Sequence, residues 1–455
     1  MIRYIIILIV AWQLCIPKSF CQTVPVPPDE FQRTFGGLKK ENSYQVIPTS
    51  DNGVFSLGST ESFGKGQSDI YLVKTDSSGN LQWAKSYGGM SDDYGTCIEK
   101  TKDNNYIIVG YTSSFSKDLS DICLIKINEK GDVLWSKVYG LDRSDYSTSV
   151  KCTSDGGFII VGETINFISH EKNSDILVIK VDSKGVTEWS KILGGNGTDY
   201  AYSIQETKGG GYIIGGETNS YGSGNWDFYL IKLKKDGDID WSKTYGDEGI
   251  DYGRYAIECP DGGLIIGGNT TNFNANGTDF CLIKTDKEGT VEWSKIYGGA
   301  GTDYLLSLKA FNETGFILVG YSDSPPSQSE DVCIMYFDYK GKAIWARLYG
   351  SENNDYGVSV SFTANKKELI IGGSTFGFGT KGQDVLLIKT PMKFRACPCN
   401  LNYFYPLLSK KVTVKSKSGH YQFDLHCNEE NIQVIVTTTV SSEQSICNFP
   451  FYPYY

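Results

Sequence analysis

A seven-bladed β-propeller, a ring of four-stranded sheets, is the fold this sequence predicts, and three observations predict it. The phrase W-S-K-I-Y-G-G at residues 293–299 recurs around Trp83, Trp135, Trp189, Trp241, Trp293 and Trp345, at spacings of 52, 54, 52, 52 and 52 residues. A period of this size marks an array in which each unit is one supersecondary piece. Each unit holds four runs of five to eight residues rich in Ile, Val, Tyr and Thr, separated by Gly, Asn and Asp clusters; these are the signals of strands and hairpins. The runs are continuous rather than alternating, as at residues 159–161, so each sheet is covered on both faces. Sheets of this kind bury their faces by stacking radially. A linear solenoid is the other architecture for a repeat, but four strands in about 50 residues match a propeller blade.

Composition agrees with many short strands and tight turns. The 455 residues are 40% hydrophobic and include 51 Gly but 13 Pro, with 30 Tyr and 22 Phe and only 4 Met. Such a chain has neither the low hydrophobicity nor the charge excess of a disordered one, and it suits glycine-turned strands better than helices. Arg3 is followed by an apolar run too short for a comfortable membrane span, and Ser19 and Cys21 occupy the small-residue positions of a cleavage site. Residues 1–21 therefore read as a signal peptide, with a mature start near Gln22, a linker to residue 30 and a secreted, extracellular or periplasmic location. No later stretch is apolar enough to span a bilayer.

The formal charge is −10, and removing Arg3 and Lys18 with the signal peptide takes it to about −12. An acidic surface disfavours nucleic acid and anionic membranes as partners. Ten of the 12 cysteines remain after cleavage, in a compartment that permits disulfides. The N-x-S/T triplets at Asn196, Asn269, Asn276 and Asn312 are glycosylation candidates.

The first unit is disguised. Phe31 lies 52 residues before Trp83 and opens F-Q-R-T-F-G-G, the recurring phrase with Phe in place of Trp, which makes seven starts. A typical unit begins at Trp189 and passes through Asp199-Tyr200, a strand to Thr207 and a glycine turn at residues 209–211. It continues through strands at residues 212–218 and 227–233 to a turn at Gly237. Turns such as Asp155-Gly156-Gly157 and Asp261-Gly262-Gly263 supply the positive φ that tight hairpins require. With the tryptophan strand outermost in each blade, the last unit lacks its fourth strand while residues 31–35 have no blade. The N-terminal strand is thus expected to complete blade seven and close the ring over residues 31–390, removing an open edge. Residues 391–455 form a separate tail in which Cys397, Cys399, Cys427 and Cys447 are disulfide candidates of unassigned pairing. Alternation at residues 411–415 and 432–436 points to a small Cys-containing β region.

The phrases W-S-K-x-Y-G-G and D-G-G-x-I-I-x-G resemble the roughly 50-residue β-propeller repeats of secreted bacterial and archaeal proteins, over residues 31–390. A looser likeness is to the tryptophan-docking repeat of quinoprotein dehydrogenases: Asp76, Gly79 and Trp83, like Asp182, Gly185 and Trp189, share its order of acid, turn glycine and tryptophan. That likeness implies quinone-dependent oxidation. Asn128 and Lys234 depart from its acid position, and the chain has seven units and no adjacent cysteine pair.

Two aspartates recur in almost every unit: Asp93, with equivalents at 145, 199, 251, 303 and 355, and Asp69, with equivalents at 121, 175, 227, 279, 331 and 384. Both sets are expected on one rim. Oxygen-rich sites suit calcium, whereas repetition in every blade favours capping of turn amides, so no cofactor is assigned and calcium is the alternative. Differences between blades are the better guide to function. Blade four alone adds Trp226 beside Tyr221 and Asp227, and blade three has a two-residue insertion holding His170 near Phe167. These five residues are the candidate ligand site, where an exposed Trp would stack on a sugar ring. With three histidines and no H-E-x-x-H or G-x-S-x-G, the sequence offers no catalytic motif. The leading expectation is a monomeric, non-enzymatic binding or scaffold protein that recognises a glycan or a protein through one rim. A carbohydrate-active enzyme using rim carboxylates is second, and a quinone-dependent oxidoreductase third.

Overall fold

A computed structural model describes residues 30–392 except 117–118, 142, 167–172, 272–276, 325–326, 328 and 379, together with six short strands between residues 410 and 445. The expected signal peptide, most of the expected linker and the four tail cysteines lie outside the described residues. Seven antiparallel sheets make up the described part, with no helix. None of its elements is a helix long and apolar enough to cross a membrane. In blade four, Asp199–Glu206, Tyr212–Thr218, Asp227–Leu233 and Ile239–Gly246 pair in chain order. The other blades repeat this order, and first strands of neighbouring blades lie side by side around the axis. The predicted seven-bladed propeller is the observed fold.

Local chemistry sets the hairpins. Gly156, Gly210 and Gly262 turn with φ between +82° and +90°, a region where a Cβ is costly. Blades one and two place Asn52 and Asn104 there instead, with φ of 64° and 59°, since asparagine tolerates the left-handed region. Side chains from the two faces of each sheet then interlock with the neighbours: Ile159, Val161 and Val178 of blade three pack with Ile204, Ile214 and Ile231 of blade four. The core is therefore a ring of interblade clusters.

Ring closure follows the expected register. Phe31–Gly36 pairs antiparallel with Asp384–Pro391, with Phe31 opposite Lys389 and Phe35 opposite Val385. Phe31 also takes the tryptophan slot. A Cβ added to the turn glycine Gly79 would stand 2.7 Å from the Phe31 ring, as one on Gly131 would from Trp83, and one on Gly237 from Trp189. Each docking ring thus presses on the bare turn of the next blade. The tyrosine of the phrase adds a bond there: Tyr87, Tyr139 and Tyr245 donate their hydroxyls to the carbonyls of Gly131, Gly185 and Gly289 at 2.7–2.9 Å.

The tail is β, but its described strands form no unit of their own. Lys410–Lys411, Lys415–Lys417, Tyr421–Leu425, Asn428–Asn431, Ile435–Thr439 and Ser442–Ser445 each add a fifth, outermost strand, to blades five, four, three, two, one and seven in that order. Register explains how so short a chain encircles the ring. Lys415, Tyr421, Asn428, Ile435 and Ser442 lie opposite Gly246, Gly194, Gly140, Gly88 and Gly36, so about seven residues serve each blade. A twist of roughly 20–25° per strand turns the fifth strand close to perpendicular to the first, which lays it along the circumference.

Cys123, Cys281 and Cys333, each two residues after a repeat aspartate, are free and buried, as are Cys97 and Cys259. Burial pushes the Cys281 and Cys333 thiols well above their ordinary pKa.

Candidate functional site

Both aspartate sets meet on one rim, and they meet in pairs. A Cβ on Gly298, the first glycine of the Tyr-Gly-Gly phrase, would lie 1.9 Å from Asp279 Oδ1 and 2.8 Å from Asp303 Oδ2; Gly88 stands likewise between Asp69 and Asp93. Asp303 accepts from Gly299 N at 2.8 Å and Ser324 Oγ at 3.0 Å, and Asp93 from Gly89 N and Ser114 Oγ. Asp69 accepts from Lys65 N and Gly66 N, and Asp227 from Ser223 N and Gly224 N. The repeat carboxylates cap amides, and among the described residues no three His, Cys, Asp or Glu side chains gather as a metal site. Blade one uses Glu41, which accepts from Gly37 N, Thr60 Oγ1 and Ser62 N. Its place 52 residues before Asp93 was the available signal.

Inside this rim the first strands of the blades converge on the axis, at the mouth of the ring. Every first strand carries a bulge, for example between Ala201 and Ser203 and between Gly253 and Tyr255. A bulge re-aims one side chain out of the ladder. The seven re-aimed residues are Tyr44, Thr96, Thr148, Tyr202, Arg254, Leu306 and Val358, a varied set in an otherwise uniform frame. They reach toward neighbouring blades: Thr148 Oγ1 donates to Ala201 O at 2.7 Å, and the Arg254 guanidinium lies 4.1 Å over the Tyr202 ring.

Arg254 is the centre of the most elaborate group. It sits 5.4 Å over Tyr304 as well and donates to the Tyr304 hydroxyl at 2.7 Å, while Tyr202 donates to Glu217 Oε1 at 2.8 Å. Burial pushes the Glu217 carboxyl up to about 7, against the opposing pull of Arg254 and the Tyr202 bond. Around them stand the tyrosines that follow the repeat aspartates. Tyr94 stacks on Tyr111 and Tyr304 on Tyr321, with ring centroids 5.0 and 5.5 Å apart. Below this mouth side chains fill the axis: Tyr255 of blade five lies within electrostatic range of Cys97 of blade two, and Lys309 of blade six within range of Lys151 of blade three. Burial first, and then Lys151, lowers the Lys309 amine to about 8.

Of the predicted ligand residues, Trp226 belongs to this mouth. Its ring is half-buried, parallel to Tyr200 within 7° at 5.7 Å and tilted against Tyr252 at 6.4 Å. Asp251 N donates to its carbonyl at 2.9 Å, which ties the backbone at this position to the next blade. Tyr221 instead packs on Tyr229 and donates to Gly194 O, and Asp227 is buried beneath its loop. Tyr221 thus bridges its own loop to the end of the outer strand of blade three. Phe167 and His170 lie outside the described residues. Among the glycosylation candidates, Asn196 and Asn312 are exposed and Asn276 is outside the described residues. Asn269 is a correction: it is fully buried with Oδ1 accepting from Leu305 N at 2.6 Å, so its amide is closed to a glycan in the folded chain. Tyr200, Tyr202, Arg254 and Glu217 were missed, because their meeting depends on which strands are neighbours.

Fold and site together define a β-propeller repeat protein with an aromatic, acid-bearing axial mouth. A family model described as "Domain of unknown function (DUF5122) beta-propeller" matches residues 210–242. "Regulatory protein FlaEY" of Caulobacter vibrioides is 26% identical over 140 residues, which cover 27% of this chain and 15% of that protein; the chain thus spans under a sixth of its relative. Among solved structures, polysaccharide lyase Uly1 aligns with a TM-score of 0.48 at 8% identity, over 80% of this chain and 99% of that one. A GH43_12 protein retrieved from capybara gut metagenome gives 0.31 at 10% identity over 93% and 91%, and Bombyx mori GH32 beta-fructofuranosidase BmSUC1 gives 0.30 at 8% over 86% and 91%.

Proposed function

We propose that the protein is secreted, acts as a monomer and binds glycans without turnover at the axial mouth of blades three to six. The observation that carries this reading is the Trp226–Tyr200 stack, half-exposed and flanked by Tyr252. Flat aromatic faces with a polar rim take the apolar face of a sugar ring while side-chain oxygens take its hydroxyls. Neighbouring Tyr304 and Tyr321 extend the same surface. A glycan array probed with the mature protein and with Trp226→Ala tests it. The wild type is expected to retain a defined set of glycans, and the variant to lose at least about tenfold in affinity, the scale of an aromatic anchor. Equal binding by both proteins, or none by either, would sink the assignment.

One observation favours a second reading. A carboxyl raised to about 7 is poised as a general acid near neutral pH, so Glu217 is the residue on which a carbohydrate-active enzyme would turn. A hydrolysis and elimination screen run beside the array separates the two: turnover abolished by Glu217→Gln replaces binding by catalysis. Peptide mass mapping of the secreted protein should find its N-terminus near Gln22; a retained leader would refute the secreted location.

A further inference from the structure

The rim outside the mouth is not uniform, and its asymmetry is independent of the glycan reading. The third residue of each interblade link, counted from its first glycine, is Asp142, Asn196, Glu248, Ala300 or Glu352 between blades two and seven, but Leu38 and Met90 on either side of blade one. Leu38 is 75% and Met90 77% exposed, and Phe376 and Leu119 on the adjoining loops of blades seven and two are 46% and 41% exposed. Single exposed apolar residues are ordinary, whereas several on one continuous surface mark an interaction site.

The surface is continuous. A Cβ on Gly382 of the blade-seven loop would stand 2.7 Å from Lys39 O, and Glu41 N donates to Gln383 O. Lys39 N donates to Ser62 Oγ of the blade-one loop, and Gly66 of that loop abuts Ser91 O of the following link. Ser91 N in turn donates to Ser114 Oγ of the blade-two loop. Charge divides along the same line. Exposed Lys39, Lys40, Lys65 and Lys381 lie among these apolar tips, against Glu61 and Asp92. The links and loops of blades four to six, up to the link into blade seven, carry Asp247, Glu248, Asp323, Glu330 and Glu352 and no Lys or Arg. The rim of an acidic protein thus has a basic, apolar sector over blades seven, one and two.

We propose that this sector, over blades seven, one and two, docks an extended segment of a protein partner that alternates apolar and acidic side chains. The tips occur on successive loops, so the segment follows an arc of roughly 20–30 Å, the length of seven to nine extended residues. Apolar side chains meet Leu38, Met90 and Phe376, and carboxylates meet the lysines between them. An anionic membrane would also meet lysines and apolar tips, but the remaining surface, on a chain of net charge −10, repels such a membrane. A protein segment needs only local complementarity.

A displayed library of random 12-residue peptides, selected on the full mature protein and counter-selected on the Leu38→Ser, Met90→Ser double variant, tests this. Enriched peptides are expected to combine Leu, Phe or Trp with Asp or Glu. Their affinity should fall at least about tenfold in the double variant and in Lys39→Glu, Lys40→Glu, weaken with salt, and be unchanged in Trp226→Ala. These substitutions are on exposed loops, and unaltered melting of each variant confirms folding. The proposal is overturned by no enrichment over the counter-selection, by enrichment of basic peptides, or by loss in Trp226→Ala instead of the double variant. Sedimentation with phosphatidylserine vesicles that depends on Leu38 and Met90 would assign the sector to a membrane and equally overturn it.

Discussion

Where one blade meets the next, at Gly88, Gly194, Gly246 and Gly298, two aspartates and the glycine between them act as one device, and the device is tuned to a narrow space. In Gly298→Ala the new methyl group would enter the gap between Asp279 and Asp303, whose oxygens stand 1.9 and 2.8 Å from its position. Asp303 cannot retreat freely, since it is held by Gly299 N and Ser324 Oγ. Overpacking of this kind costs about 1–3 kcal/mol, to be read from chemical denaturation. Crowding also raises carboxyl pKa values. Burial pushes Asp145, Asp251 and Asp355 up to about 6, and burial together with Asp303 takes Asp279 to about 7. A raised folded-state pKa means that the native protein holds these protons more tightly than the unfolded chain. Their stabilising effect is complete below about pH 4 and is lost as pH rises through 6 to 7. Asp51 and Asp155 act oppositely: burial raises them, but hydrogen bonds from Thr49 and Thr153 and the ammonium groups of Lys74 and Lys180 outweigh it and hold both near 2. Their contribution is lost only as pH falls toward 2. The melting temperature should therefore rise by about 5 °C or more between pH 8 and pH 5, and a flat or falling profile in that window would contradict the paired-carboxylate account.

At the scale of the element, the outer strand works by planting one ring on the turn of the next blade, and its sequence announces this openly. The spacing of W-S-K-x-Y-G-G showed both the strand and the Phe31 disguise, because a repeated packing solution repeats its residues. Phe31 is buried against Gly79, so Phe31→Ala should cost about 3–5 kcal/mol. Phe31→Trp, which restores what six other blades use, should cost less than about 1.5 kcal/mol; calorimetric melting of the pair checks both. The first strands were far less legible. Their bulges depend on the register between two strands, so no residue type at 202 or 254 announces that it faces the axis. The same reason hid the partner of Trp226: Tyr200 belongs to another strand, and adjacency in the loop pointed to Tyr221 instead.

For the whole molecule, the offset of the repeat was enough to place the closing strand, since one unfilled edge and one unassigned strand remained. The belt was not legible, because its strands are two to five residues long and its seven-residue rhythm has meaning only against blades already in place. A chain beginning at Asn42 loses the whole fourth strand of blade seven and bares the edge of Asp384–Pro391; it should aggregate or melt far below the mature protein in light scattering and calorimetry. A chain ending at Met392 keeps the ring closed and should melt as a folded protein. An unchanged melting temperature on N-terminal deletion would mean that the ring does not depend on Phe31–Gly36.

Closure between Phe31 and Lys389 also sets a clock. Among the described strands the first to leave the ribosome pairs with the last strand of the ring, and at about 5–20 residues per second it waits roughly 20–70 s for its partner. Throughout that interval an apolar strand is held open on the growing chain. Biogenesis, more than the finished ring, is where this protein is exposed to misassembly, and a chaperone or a pause that shields residues 31–36 during synthesis would act at the moment of greatest need.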